Sequence, residues 1–256
     1  MGMKIAICYQ GYEDRVLFAS NLMARAREYI MQHDGSEIRI FEARGMHIKG
    51  YAGKSDWSGW QDKEYIKYKG RYTSLLRNKA ILEAIEWEPE LIISTDDDMI
   101  FNPKTISLLA EACGQGHQWS APIAHRLGYA RNQEKHPAES SNINLAVGGR
   151  QLIAVPARRY IHTNVTGATE VYGLSLELAR RMSEFTNGNF FCSDVFPPGN
   201  DEVVAVDVHG FLSNMYRMGQ ECWIVDDDVI RYNPHITPLD EETYERLLLV
   251  DAAVSL

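Results

Sequence analysis

The chain has 256 residues, 45% of them apolar and 24% charged, the balance of a globular protein and not of a disordered one. With 26 basic and 35 acidic side chains it carries a net charge of −9 and a pI near 5.4, which argues against generic polyanion binding while allowing a local basic patch. Its length suits one large α/β domain or two small ones. No apolar run approaches the ~18 residues of a membrane span, and no secretory leader is visible at the N-terminus. Cys8, Cys113, Cys192 and Cys222 lack the spacing of a zinc site or a disulfide framework, so a soluble, cytoplasmic protein is the expectation.

Lys4 to Tyr9 (KIAICY) has the content of a buried first strand, with Gln10 to Asp14 as the loop at its carboxyl end. Val16, Ala19, Met23, Ala26 and Ile30 recur at spacings of 3 and 4, which predicts a helix with those residues inward. Gly35 marks its exit. Glu37 to Ala43 alternates polar and apolar as a second strand does, so the chain opens β-α-β with a parallel pair. No GxGxxG follows the first strand, which argues against a dinucleotide site.

Arg44 to Gly70 is long and polar for a connection, and Trp57 and Trp60 suggest an ordered segment packed over a site. From Gln61 to Lys79 the chain is basic, with Lys63, Lys67, Lys69, Arg71, Arg77 and Lys79. That run reads either as a solvated helix face or as a phosphate clamp. A helix is predicted from Thr73 to Trp87, with Leu76, Ala80 and Ala84 in one row and Ile81 and Ile85 in another. Pro89 ends it.

Leu91 to Pro103 then reads LIISTDDDMIFNP. Leu91, Ile92 and Ile93 suit a strand buried on both faces. Asp96, Asp97 and Asp98 repel one another at its end, and become favourable around a hard divalent cation with oxygen ligands. A solvated surface turn is the plainer reading of three acids, but the apolar sequence on both sides counts against it. Asn102 can cap a helix starting at Pro103, with Ile106, Ala110 and Cys113 inward. Carboxylates at the carboxyl end of a buried strand sit where open α/β sheets bind ligands.

Gly114 to Gly116 close that helix, Trp119 to Ala124 is a predicted strand, and His125 to Arg150 is a second long loop, read as a connection or as a substrate lid. Gln151 to Val155 is another short strand. Glu170 to Ser175 enters a helix with Leu174, Leu178, Met182 and Phe185 on one face, and Asn187 to Asn200 is a loop. Asp207 to Met218 is a helix with Phe211, Met215 and Met218 inward, ended by Gly219. Glu221 to Val225 is a late strand, trailed by Asp226 to Asp228, which read as a solvated turn in preference to a second metal site. A polar tail follows from Pro234, with one short helix at Glu241 to Val250.

This order of parts resembles a GT-A glycosyltransferase, the nucleotide-sugar-dependent fold with a DxD motif, over roughly residues 4–235. Five stretches carry the resemblance: Gln10-Gly11-Tyr12 after the first strand, Arg77-Asn78-Lys79-Ala80, Asp96-Asp97-Asp98-Met99, Val171-Tyr172-Gly173-Leu174, and Asp207 through Gly219. The resemblance implies a Rossmann-like α/β fold with a mostly parallel central sheet flanked by helices. It implies one domain over residues 1–235, with the nucleotide-binding part about 1–103 and the acceptor part about 104–235, then a tail at 236–256.

The resemblance also implies a donor site of Gln10, Gly11, Tyr12, Arg77, Asn78, Lys79, Asp96 and Asp97. Acceptor contacts would come from Tyr172, Gly173, Trp57 and Trp60. A metal, Mn²⁺ or Mg²⁺, would be held by Asp98 and Asp96, with His235 or Tyr232 at the position of the family's metal-binding His. Asp207 would meet the acceptor hydroxyl; Val208 stands where the family often has a second acid, which keeps Asp201 and Glu202 as rivals. The implied reaction moves a sugar from a nucleotide-sugar, UDP-sugar favoured and GDP-sugar second, to a hydroxyl.

Alternatives stay open at this point. A non-catalytic binding module keeps the fold without the chemistry. A DxD phosphatase of the haloacid-dehalogenase type needs its motif on the first strand, and a sugar nucleotidyltransferase needs a Gly-rich, Arg-containing loop that QGYEDR lacks. The acceptor is not readable; the basic loops could admit a modified nucleic acid, although the net charge favours a lid.

Overall fold

The computed structural model describes residues 2–12, 16–45, 63–96, 99–100, 103–127, 143–145, 161–163, 166–168, 171–193, 205–206 and 208–232. Strand β1 (Lys4–Tyr12) has Ile5, Ala6 and Ile7 at 0% exposure. A strand apolar on both sides belongs inside a sheet covered on both faces. It lies between β2 (Glu37–Gly45) and β3 (Leu91–Asp96), parallel to both. The strand continues past Tyr9: Gln10, Gly11 and Tyr12, expected in a loop, pair with Ala43, Arg44 and Gly45. Backbone pairing on this edge holds the chain extended where the side chains no longer signal it.

Helix α1 (Val16–Gln32) forms as its periodicity predicts, but turns a different stripe inward. Leu22, Ala26 and Tyr29 are buried, while Met23 and Ile30 face solvent. The sequence offers two apolar stripes that share Ala26. The buried one carries the aromatic ring, which has more area to bury. Helix α2 (Lys63–Glu86) starts well before the expected Thr73. Lysine is a good helix former, so polarity in the first turns of α2 did not mean a loop. Ala80, Ile81 and Ala84 are buried against the sheet, with Leu76 and Ile85 beside them.

After β3 come β4 (Met99–Ile100) and helix α3 (Pro103–Gly114), with Ile106 and Ala110 buried as expected and Cys113, expected inward, only partly buried beside them. Strand β5 (Trp119–Leu127) runs into the segment expected as a loop, which also holds β6 (Ile143–Leu145). Strands β7 (Ile161–Thr163) and β8 (Thr166–Ala168) are too short to leave a periodic signal. The expected strand at Gln151 to Val155 lies outside the described residues.

Strand β9 (Val171–Ser175) leads into helix α4 (Leu176–Thr186). Ser175 caps the helix, its Oγ accepting from the Leu178 amide at 3.1 Å, which satisfies one of the unpaired amides of the first turn. The inward stripe is Leu178, Ala179 and Met182. Leu174 belongs to the strand, and Phe185, expected inward, is 45% exposed, with the Arg217 guanidinium 4.9 Å from its ring centroid.

Short strands β10 (Cys192–Ser193) and β11 (Ala205–Val206) pair with each other. Helix α5 (Val208–Arg217) buries Phe211 and Met215, and Gly219 turns the chain at φ 64. Strand β12 (Cys222–Tyr232) passes straight through Asp226 to Asp228, which corrects the turn expected there. A register shift against β5 between Ile224 and Asp228 marks an irregularity. Bulges absorb residues that do not fit the pleat, and Asp228 resumes the pairing opposite Ile123, followed by Val229 and Ile230.

The main sheet has the order β2-β1-β3-β9-β5-β12-β4, with β7 on β12. Strands β2, β1, β3, β5 and β12 share one direction, and β9, β4 and β7 oppose it. The fold is α/β and Rossmann-like, with a mostly parallel sheet. One core packs α2, α4 and α5 on one face, and another packs α1 and α3 on the other. No described helix is long and apolar enough to cross a membrane.

Candidate functional site at the carboxyl end of β3

All six residues of β3 are buried. Leu91 and Ile93 join the core under α1 and α3, and Ile92 joins the core under α2. With the two-residue period of a strand, Ser94 and Asp96 share the α2 face with Ile92. Asp96 ends the strand opposite Gln10 of β1, and Gln10 Nε2 donates to Asp96 Oδ1 at 3.3 Å. Arg77 of α2 pairs with the same oxygen. The two charged side chains are 6% and 5% exposed. Charges this deep are tolerated when paired and hydrogen-bonded, so Asp96 is held in place before any ligand arrives.

The guanidinium has a second support. Arg77 Cζ lies 5.3 Å from the centroid of Phe191, a cation–π contact. Phe191 is fixed in turn, since Ser74 Oγ donates to its carbonyl at 3.3 Å and Asn214 Nδ2 donates to the Phe190 carbonyl at 3.1 Å. Asn78 Nδ2 reaches Asn189 Oδ1 at 3.1 Å. Sequence reasoning missed Asn189 and Phe191, which sat in a stretch read as a polar loop. The adjacent Phe190 and Phe191, both at 0% exposure, were the signal, because a solvated loop rarely carries two rings in a row.

Other expected site residues are placed as follows. Gly11 and Tyr12 end β1 beside Gln10, and Asn78 is buried beside Arg77. Lys79 is 64% exposed and lies 3.9 Å from Glu83. Two residues along a helix is about 200° of rotation, so Lys79 points away from Arg77. Tyr172 and Gly173 are both buried. Tyr172 is 1% exposed opposite Ser94, and Gly173 sits opposite Ile93. Asp97, Asp98, Trp57, Trp60, Asp201, Glu202, Asp207 and His235 lie outside the described residues, as do residues 236–256. Tyr232 ends β12 opposite Leu127.

The region under α2 is strongly desolvated. Burial drives the Tyr172 phenol well above its usual pKa; Ser94 and Arg77 pull it back, and Asp96 and Cys8 add to the rise. Burial likewise pushes the Cys8 thiol up, with Glu83 adding to it. The carboxylate oxygens of the motif are hard donors suited to Mg²⁺ or Mn²⁺. Among the described residues there is no group of three His, Cys, Asp or Glu that could hold a metal, so Asp96 alone does not make a site. A cleft of about 490 Å³ lies among Arg39, Phe41, Glu42, Glu83 and Trp87, and none of the candidate site residues lines it.

No family model matches the chain, and no curated relative does. Among solved structures the chain is similar to a glycosyltransferase involved in the glycosylation of the major capsid of PBCV-1, with 15% identity and a TM-score of 0.34, covering 75% of this chain and 71% of that one. It is similar to glucosyl-3-phosphoglycerate synthase from Mycobacterium tuberculosis, with 14% identity and a TM-score of 0.42, covering 98% and 81%. It is also similar to 4-diphosphocytidyl-2C-methyl-D-erythritol synthase from Anaerococcus prevotii, with 8% identity and a TM-score of 0.37, covering 100% and 99%.

Proposed function

We propose that the chain is a metal-dependent glycosyltransferase that moves a sugar from a nucleotide-sugar, with a UDP-sugar favoured, to a hydroxyl acceptor. The observation that carries this reading is the Asp96 carboxylate at the carboxyl end of β3, oriented by Arg77 and Gln10. A strand end in an open α/β sheet is a ligand position, and a buried, pre-oriented carboxylate there is more than a surface acid. Arg77 and Gln10 both bind Oδ1; the reading gives Asp96 to the ribose or sugar and the metal to Asp98.

A divalent cation there would offset the negative charge that develops on the departing diphosphate. This chain's own part is to hold the first Asp of the motif rigid, through Arg77 and its Phe191 platform. Asp207, with Asp201 and Glu202 as rivals, would serve the acceptor hydroxyl as base or orienting group. The experiment is donor hydrolysis without acceptor: UDP-glucose, UDP-galactose, UDP-N-acetylglucosamine and GDP-mannose, each with Mn²⁺ or with EDTA. Metal-dependent release of nucleoside diphosphate from one donor, lost in Asp98→Asn, supports the reading. No release from any donor, together with no diphosphate binding, returns the chain to a binding module.

A further inference from the structure

The α2 face of the sheet carries two registered rows of polar side chains at the candidate site. Gln10 and Asp96 form the outer row; Cys8, Ser94 and Tyr172 form the inner one. Arg77 covers them from α2. The Tyr172 hydroxyl makes no well-formed hydrogen bond among the described residues, and neither does Gln10 Oε1. Both side chains are more than nine-tenths buried. Ser94 lies close enough to Tyr172 to favour its ionised form, though short of a well-formed bond.

Buried polar groups in folded proteins are seldom left unpaired. Two such groups flanking one carboxylate on one sheet face share a cause. Rows on a strand face stand about 7 Å apart, a span that a tyrosine side chain crosses diagonally. A water needs two to four polar partners to stay buried, and Tyr172, Ser94, Gln10 and Asp96 supply that number.

We propose that Tyr172 is a positioning residue for the Asp96–Arg77 pair, acting through a buried water that its hydroxyl shares with Ser94 and the carboxylate. The inference rests on the glycosyltransferase reading only for its effect on donor binding; the link between Tyr172 and Asp96 stands apart from it. An orphan hydroxyl and a water-bridged one respond oppositely to deletion. Removing an unpaired buried hydroxyl is neutral or stabilising, whereas removing a bridged one strands its partners.

The test is a double-mutant cycle in the full chain, Tyr172→Phe against Asp96→Asn, read by thermal and urea unfolding and by UDP–Mn²⁺ titration calorimetry. The expected results are a Tm for Tyr172→Phe lower by about 2–4 °C, non-additive stability in the double variant, and a UDP–Mn²⁺ Kd weakened about ten-fold. Ser94→Ala, a smaller perturbation, is expected to lower the Tm in the same direction. A Tm equal to or above wild type, or an additive double variant, overturns the proposal. A lower Tm with unchanged Kd overturns the positioning role and leaves a structural one. If the cycle is non-additive but wild type binds no nucleoside diphosphate with any metal, the link to Asp96 holds and the glycosyltransferase reading falls.

Discussion

Arg77 of α2 and Asp96 of β3, 19 residues apart in sequence, meet as an ion pair at the carboxyl end of the sheet, each almost wholly removed from solvent. The pair ties the helix before the acidic strand to the acid itself, so folding and the candidate site depend on one contact. Arg77→Met is expected to destabilise the fold by about 3–5 kcal/mol, because it removes the cation that balances a buried carboxylate. Asp96→Asn removes the anion that balances the buried guanidinium and is expected to cost a similar amount. Urea unfolding of both variants checks this; two near-neutral results would mean the pair is hydrated and dispensable.

Lys79 tests the same helix from its other side. Its ammonium is exposed and paired only loosely with Glu83, and surface pairs of this kind contribute about 0–1 kcal/mol. Lys79→Ala is therefore expected to leave both stability and nucleoside diphosphate affinity near wild type. A large loss of affinity would return Lys79 to the donor site.

Gly173 of β9 pairs with Ile93 of β3 and Ser120 of β5. A Cβ there would lie 3.0 Å from Leu91 Cδ1 and 3.2 Å from Ser120 Oγ. Leu91 and Ser120 are both buried, so neither yields without disturbing the sheet. Gly173→Ala is expected to cost about 1–3 kcal/mol by overpacking, measured as a shift in the urea midpoint with an unchanged slope.

The buried thiols and phenols set an alkaline limit. Burial raises Cys8, Tyr29 and Tyr172, and it raises Cys113 to about 11 from an ordinary 9.0, with Glu90 adding to it. The native state thus keeps these protons at pH values where the unfolded chain gives them up. Their contribution to stability is fully present below about pH 9 and is lost as pH rises through the folded values. Unfolding free energy between pH 7 and 11 is expected to be flat at first and then to fall. A Cys113→Ser variant should start its decline later, and an unchanged profile would show that Cys113 is better solvated than its surroundings suggest.

Much of this architecture is legible in the sequence, and the gaps have physical causes. The opening β-α-β, the helix from Pro103 and the helix with Phe211 and Met215 inward all follow from the spacing of their apolar residues. Asp96 was legible because an acid closing a strand that opens with Leu91, Ile92 and Ile93 has few structural uses. Helix α1 offered two competing faces, and only packing chose Tyr29 over Ile30. The first turns of α2 and the acidic stretch of β12 were hidden because charge says where solvent is, not which backbone conformation lies beneath it. The antiparallel insertion of β9 between β3 and β5 is a tertiary event without a local signature, and with it the interior positions of Tyr172 and Gly173 were out of reach.

The measurement closest to the central claim is a thermal-shift panel of UDP, GDP, CDP, ADP and TDP, each with and without Mn²⁺, on wild type and Asp98→Asn. A ligand that binds only the native state at 100-fold excess over its Kd adds about 2.7 kcal/mol of stability, a shift easily seen in a melt. One diphosphate, with UDP expected, should raise the Tm of wild type only when metal is present, and the effect should vanish in Asp98→Asn. A panel in which no diphosphate moves the Tm under any metal condition would contradict the account.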